Sequence, residues 1–297
     1  MSLQQRLTQL IEQGSDIEYK YIIKRVVEQL FLQKYNAKLS AETVEQFCSE
    51  FDLSPVQLAL HCLPVAACYA VVPVSNFYVG AVAIGKSGTF YFGANYEFAS
   101  DAIAQSVHAE QSAISHAWLS GEAALTDMVV NYTPCGHCRQ FMNELNTAST
   151  LHIHLPHSQN NLLHSYLPDA FGPTNLNIDK VLFDTQNHAF RKHDDILMQA
   201  AISAAENAYA PYSQAVSGVA LQVGEQVITG RYAENAAFNP SFLPLQSALN
   251  QRRMLGLSDV PVIRIVLAEK QAILSHRNIT ISLARNLFDI SVEYISL

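Results

Sequence analysis

The sequence predicts an α/β protein in which one folding unit occurs twice behind a short helical N-terminal region. Three observations carry this reading. From Phe77 to about His154, short apolar strand patterns alternate with helical ones, which marks a sheet with helices packed on it. The run Pro211-Tyr212-Ser213-Gln214-Ala215-Val216-Ser217-Gly218-Val219-Ala220 then repeats Pro73-Val74-Ser75-Asn76-Phe77-Tyr78-Val79-Gly80-Ala81-Val82, an internal repeat that bears directly on the fold. Finally, 297 residues that are 49% hydrophobic and 15% charged exceed one compact core of typical size, so two domains are expected.

The elements follow in order. Residues 3–53 read as helical, because Ile22, Ile23, Val26, Val27, Leu30 and Phe31 recur at helical spacing and Ser40, followed by Glu42 and Glu45, caps a further helix. Ser54-Pro55 is a boundary that opens a helix over Val56 to Tyr69. Strands are expected at Tyr78–Ile84, Thr89–Gly93, Asp127–Tyr132 and Leu151–Leu155, and helices at Gln105–Leu119 and Cys135–Leu145, the latter with Pro134 in its first turn. Residues 156–180, rich in Pro, Asn, His and Gly, read as a connector, with Leu167 to Pro173 ordered. The resulting division is a helical region 1–53, a first domain 54–172, a linker 173–190 and a second domain 191–297.

The chemistry lies in the first copy. His108-Ala109-Glu110 is followed, after 23 intervening residues, by Pro134-Cys135-Gly136-His137-Cys138. His108, Cys135 and Cys138 form a one-histidine, two-cysteine zinc set that leaves a coordination position open for water, and zinc makes water a nucleophile near neutral pH. Glu110 reads as a non-ligand carboxylate that moves protons. Helices opening at both motifs direct their positive ends at the ion and favour thiolate. A lone C-x-x-C also suits a redox pair or half of a structural zinc site. The first lacks a matching partner motif and the second lacks another cysteine pair. The second copy is chemically empty: Leu243 and Leu245 stand at the positions of His108 and Glu110, Tyr232 stands at that of Asn95, and no cysteine follows Cys138. One zinc per chain is therefore expected. His137 is expected to face outward, and His152, His154, His157 and His164 form a loose group without clear ligand geometry.

The order H-x-E…P-C-x-x-C is the signature of zinc-dependent deaminases, and the chain resembles the cytidine deaminases, specifically their long two-lobed bacterial type. The residues carrying the resemblance are Val74 to Gly80, Phe92-Gly93-Ala94-Asn95-Tyr96-Glu97-Phe98, the His-Ala-Glu-Gln-Ser-Ala run, and Thr133 to Cys138. The resemblance implies a three-layer α/β/α sandwich, duplicated into a catalytic and a degenerate lobe. It implies that Asn95 and Glu97 bind the hydroxyls of a nucleoside sugar, that Phe77 packs on the pyrimidine, and that backbone groups of Ala109 and Thr133 read the base edge. It further implies that the segment of Phe171 approaches a cleft, its own or that of a neighbouring subunit, and that the protein is a homodimer. The implied reaction is hydrolytic deamination of cytidine and 2′-deoxycytidine, in pyrimidine salvage.

Composition narrows the partners. A formal net charge of −8, without a Lys/Arg cluster, disfavours nucleic acid. Met1 to Glu18 lacks the pattern of a signal peptide and no apolar run approaches a membrane span, so a cytoplasmic protein without a membrane partner is expected. An odd cysteine count suits a reducing compartment. Two competing readings remain open: deamination of another base (guanine, free cytosine, dCMP or tRNA adenosine), and a non-catalytic zinc protein that binds nucleosides or a partner.

Overall fold

The computed structural model describes residues 1–13 and 17–297; residues 14–16, inside the stretch expected to be helical, lie outside the described residues. The N-terminal region contains α1 (Leu3–Gln13), α2 (Ile17–Leu32) and α3 (Ala41–Phe51). Ser40 caps α3 as expected, its hydroxyl accepting from the Thr43 N–H at 3.2 Å. One correction falls here. Lys38–Leu39 is a strand, β1, not part of a helix, and two residues are too few for any periodicity to register. Ser54 opens α4 (Pro55–Ala67) with a reciprocal capping box: Gln57 N–H to the Ser54 hydroxyl at 3.3 Å, and Ser54 N–H to the Gln57 side chain at 2.8 Å.

The first lobe continues with β2 (Gly80–Gly85), β3 (Phe90–Ala94), α5 (Ala109–Leu119), β4 (Leu125–Val130), α6 (Gly136–Met142), β5 (His152–Leu155), β6 (Ser158–Leu162) and the helical turn α7 (Leu163–Tyr166). Its sheet runs β1-β3-β2-β4-β5-β6, with only β4 and β5 parallel among neighbours. The segment expected to be pure connector therefore contains β6 and α7. Ser158-Gln159-Asn160-Asn161-Leu162 is a polar edge strand without apolar alternation, which is why the pattern hides it.

The second lobe contains α8 (Ile196–Glu206), β7 (Ser217–Val223), β8 (Gln226–Arg231), α9 (Pro244–Met254), β9 (Val262–Glu269), α10 (Arg277–Phe288) and β10 (Val292–Ser296). Its sheet order, β10-β9-β7-β8, matches β5-β4-β2-β3 in pairing sense as well as sequence order. Each lobe is three layers. Alternate residues of β2 face opposite ways: Val82 and Ile84 pack with Leu58, Leu63 and Ala66 of α4, while Ala81 and Ala83 pack with Ala113 and Ala117 of α5. In β7, Ala220 meets α8 while Val219 and Leu221 join the side of α9.

The lobes are joined through α5 and α9. Ala109 through Trp118 are all buried, as befits a helix covered on every side. Polar contacts across the pair obey an approximate two-fold exchange. The Gln111 side chain donates to the Pro240 carbonyl at 3.0 Å and that of Gln246 donates to the Gln105 carbonyl at 2.6 Å. The Ser112 hydroxyl donates to Asn250 at 2.6 Å. One continuous apolar core runs from Ile114 and Met128 of the first lobe to Leu249 and Leu267 of the second.

Candidate metal centre

Local sequence sets the two ends of the site. His108 is the N-cap residue of α5 and Cys135 that of α6. α5 thus begins at Ala109, not Gln105, and Ile103–Gln105 forms a separate 3-10 turn. Pro134 precedes the cap instead of entering the first turn; Cys135 itself is extended, at φ −70° and ψ 167°. Cys138 lies one turn into α6 and is fully buried. The parent strand β4 delivers the second motif beside β2, while β3 and the turn after it deliver Asn95 and Glu97.

The three expected ligands converge. His108, Cys135 and Cys138 have ligand atoms within 4.8 Å of one another, and they are the metal-competent group found among the described residues. His108 Nδ1 lies 3.4 Å from Cys135 Sγ, close to the ~3.5 Å edge of a tetrahedron with zinc–nitrogen and zinc–sulfur bonds of usual length. The electrostatics also fit a cation. The Cys138 thiol and the His108 ring pull Cys135 down to about 3, against its burial. Hydrogen bonding to Cys135 raises His108, while burial pushes Cys138 up. Glu110 is 5% exposed, and burial raises its carboxyl against the pull of its own backbone N–H and the Cys138 thiol. An exposed sulfur drawn toward thiolate, beside a buried sulfur and a buried carboxyl, suits positive charge, which a divalent ion supplies. His137 does not face outward; its ring stacks on His108 with centroids 4.8 Å apart, and its Nε2 is buried without a partner.

A cavity of about 330 Å³ opens beside these residues, lined by Phe77, Asn95, Glu97, Ala109, Glu110 and Thr133. Each of the expected substrate residues is therefore at the cleft except Phe171. Phe171 is half exposed, and its carbonyl accepts from Gln140 and Asn143. Asn95 bridges its own wall: Oδ1 accepts from the Val79 N–H at 3.0 Å and Nδ2 donates to the Phe77 carbonyl at 2.8 Å. With Asn131 donating to the Tyr78 carbonyl, this explains why β2 starts at Gly80 and not Tyr78: side chains take the backbone groups a longer strand would have used. Burial acts to raise Glu97, but the Ser75 hydroxyl and the N–H groups of Ser75 and Val74 outweigh it and hold the carboxyl below its ordinary value.

The sequence reading missed Tyr132 and Ile103 as cleft residues. Tyr132 packs on Phe77 at 4.5 Å, and its position directly before Thr133-Pro134-Cys135 was the available signal, left unused. Ile103, almost three-quarters exposed at the cleft, carried no signal beyond lying upstream of His108. A second cavity, about 430 Å³ between α1 and α2, is lined by Leu7, Phe31 and Tyr35 and is remote from this chemistry.

The corresponding region of the second lobe is closed. Leu243 caps α9 where His108 caps α5, and Leu245 is buried. His276 occupies the cap of α10, the counterpart of Cys135, and its ring lies 4.2 Å from that of Tyr232. Ser217, Tyr232, Glu234 and His276 are all buried there. The expected group of four histidines is dispersed in role: His154 pairs with Asp127 at 2.8 Å and His164 with Asn143 at 2.9 Å.

Comparison with known proteins places this geometry in context. A family model described as the cytidine and deoxycytidylate deaminase zinc-binding region matches residues 54–153, and a second model with the same description matches residues 163–281. The second match falls on the lobe with leucines at the positions of His108 and Glu110. The chain is 66% identical to a cytidine deaminase of Actinobacillus succinogenes, over 98% of each chain. It is 63% identical to a cytidine deaminase of Actinobacillus pleuropneumoniae serotype 5b, over 99% of this chain and 98% of that protein. It is also 63% identical to one from Haemophilus ducreyi, over 99% of this chain and 97% of its relative.

Proposed function

The chain belongs to the cytidine deaminase family, and on that premise we propose that its cleft hydrolyses cytidine to uridine and ammonia. His108, Cys135 and Cys138 hold one zinc ion per chain. When bound, the ion lowers the pKa of water so that hydrolysis runs near neutral pH. Glu110 handles protons: it accepts one from the attacking water and passes it to the ring nitrogen next to the reacting carbon, then takes the remaining proton of the added hydroxyl and passes it to the amine, which departs as ammonia. Its buried carboxyl, raised from the ordinary value, is suited to both halves of that exchange. Asn95 and Glu97 grip the sugar hydroxyls, Phe77 packs on the pyrimidine, and backbone groups of Ala109 and Thr133 read the base edge.

One observation carries this reading: the metal group, the proton carrier and the sugar pair meet at one cavity, with His108, Glu110, Cys135, Asn95 and Glu97 all in its lining. Its volume lies within the range of small-molecule sites. Among the described residues no Lys or Arg lines it, which favours a nucleoside over a nucleotide. We extend the substrate to 2′-deoxycytidine and the role to pyrimidine nucleoside salvage in the cytoplasm, with neither nucleic acid nor membrane as partner. Among the described residues no helix is long and apolar enough to cross a membrane. We further propose a homodimer in which Phe171 serves the neighbouring subunit's cleft. The domain division proposed is 1–53, 54–172, 173–190 and 191–297; the capping box at Ser54 supports its first boundary.

The test is the ultraviolet absorbance change of cytidine with purified protein, checked by ammonia release, beside Glu110→Gln. Conversion by the wild type and a loss of at least ~10²-fold in the variant, with zinc retained, is expected. An inactive zinc-loaded wild type would remove the cytidine reading, and a variant of near wild-type rate would remove the role of Glu110.

A further inference from the structure

We infer that Arg253 of the second lobe is a positioning residue for sugar recognition in the first. It sits in the last turn of α9 and is 4% exposed. Its guanidinium crosses to the other lobe and donates to the Asn95 carbonyl at 2.8 Å and the Ala94 carbonyl at 2.6 Å, with a further bond to Asn250 at 3.2 Å. It lies 4.5 Å over the ring of Tyr96. Those carbonyls belong to the end of β3, from which Asn95 and Glu97 reach the cleft.

Two features separate this contact from ordinary lobe packing. The first is its cost. A cation withdrawn from water is normally matched by a carboxylate, whereas the groups around Arg253 are carbonyls, an amide and an aromatic face, and its Nε has no partner. Burial lowers this guanidinium, which stays charged at neutral pH. The second is asymmetry. Under the exchange relating α5 to α9, Trp118 stands at the position of Arg253, and Arg231 of β8 lies 3.8 Å over its ring and donates to its carbonyl at 2.8 Å. Arg231 thus reaches from its own strand end to a helix carbonyl, whereas Arg253 reaches from its helix to the strand end that carries the proposed sugar pair. A planar fork reaches the two adjacent carbonyls from two separate nitrogens in fixed geometry, which a single ammonium nitrogen does not reproduce.

The inference rests on the proposed sugar role of Asn95, so the experiment is a double-mutant cycle on cytidine turnover by the full chain, with zinc content and melting temperature measured for each variant. Arg253→Met is expected to raise KM for cytidine about 10- to 100-fold with little change in kcat. Arg253→Lys should fall between it and the wild type. In an Asn95→Ala background the added effect of Arg253→Met should shrink to about 3-fold or less, because the two changes act through one contact. Unchanged KM in Arg253→Met, or effects that multiply independently with Asn95→Ala, would overturn the inference while leaving the deaminase reading intact. If Arg253→Met fails to fold, Arg253→Lys carries the same cycle with the same two outcomes. A wild type inactive on cytidine would overturn the underlying reading, and this inference with it.

Discussion

Glu97 and Glu234 stand at matching points of the two lobes and do the same thing. Glu97 Oε2 accepts from the N–H groups of Val74 and Ser75 at 2.9 and 3.0 Å; Glu234 Oε2 accepts from Tyr212 and Ser213 at 2.8 and 3.0 Å. Only Glu97 borders a cleft, so holding this turn is structural work the residue does with or without one. Asn95 differs, because Tyr232 stands in its place and closes the second region by packing against the His276 ring at a tilt. Another buried group sets an acid limit. His116 is fully buried, its Nδ1–H donates to the Phe92 carbonyl at 3.1 Å, and burial draws it down to about 4. The native state therefore resists a proton that the unfolded chain takes up near pH 6.5. This contribution is complete above pH 6.5 and is lost as pH falls from there toward 4, at a cost on the order of 3 kcal/mol. His116→Gln keeps a donor for Phe92. We expect its denaturant midpoint to fall less between pH 7 and pH 4.5 than that of the wild type; an equal fall in both would assign the acid sensitivity elsewhere.

At the scale of elements, the repeat is written in glycine as much as in apolar pattern. A Cβ on Gly93 would collide with the Ala113 N and Ala109 O backbone of α5, and one on Gly230 with the Ala248 N and Pro244 O of α9. Both strands need this absence to approach their helix closely. Gly93→Ala and Gly230→Ala are each expected to destabilise by about 2 kcal/mol or more. Only Gly93→Ala presses directly on the helix whose cap is His108, so zinc occupancy should fall in that variant and hold in Gly230→Ala. Equal zinc content in both would show that α5 absorbs the added methyl without moving its N-terminus. The caps at Ser40 and Ser54 were legible because they use side-chain chemistry local in sequence. β1 and β6 were not, because a two-residue strand and a polar edge strand take their identity from a partner and not from their own pattern.

At the scale of the whole molecule, the second lobe is a packing partner without a metal site. Its α9 packs on α5 and on the segments around it: Gln246 donates to the Gln105 carbonyl ahead of α5, Asn250 to the Ser112 carbonyl within it, and Arg253 to the Asn95 carbonyl just past β3. The α6 helix is tied to it as well: the Glu144 carboxylate just beyond its end accepts from the hydroxyls of Tyr209 and Tyr212, at 2.7 and 3.0 Å, and Asn235 donates to the Gln140 carbonyl. A chain ending at residue 190 would expose this apolar and hydrogen-bonded face and is expected to be insoluble or to lose zinc. A soluble fragment of full zinc content would mean that the catalytic lobe stands alone.

Taken by itself, the sequence determined the chemistry and the repeat. The candidate ligand types, their spacing, the nearby glutamate and the leucines at the positions of His108 and Glu110 in the second copy are properties of residue identity, and they needed no coordinates. The caps of α5 and α6 were legible to within a few residues for the same reason. Only the tertiary structure decided which groups meet. It showed His137 lying on His108, Tyr132 joining Phe77, and Arg253 crossing between lobes to the carbonyls beside Asn95. Such contacts join positions up to 159 residues apart. They arise when two sheets bury their helices against one another, and a local pattern holds no record of that.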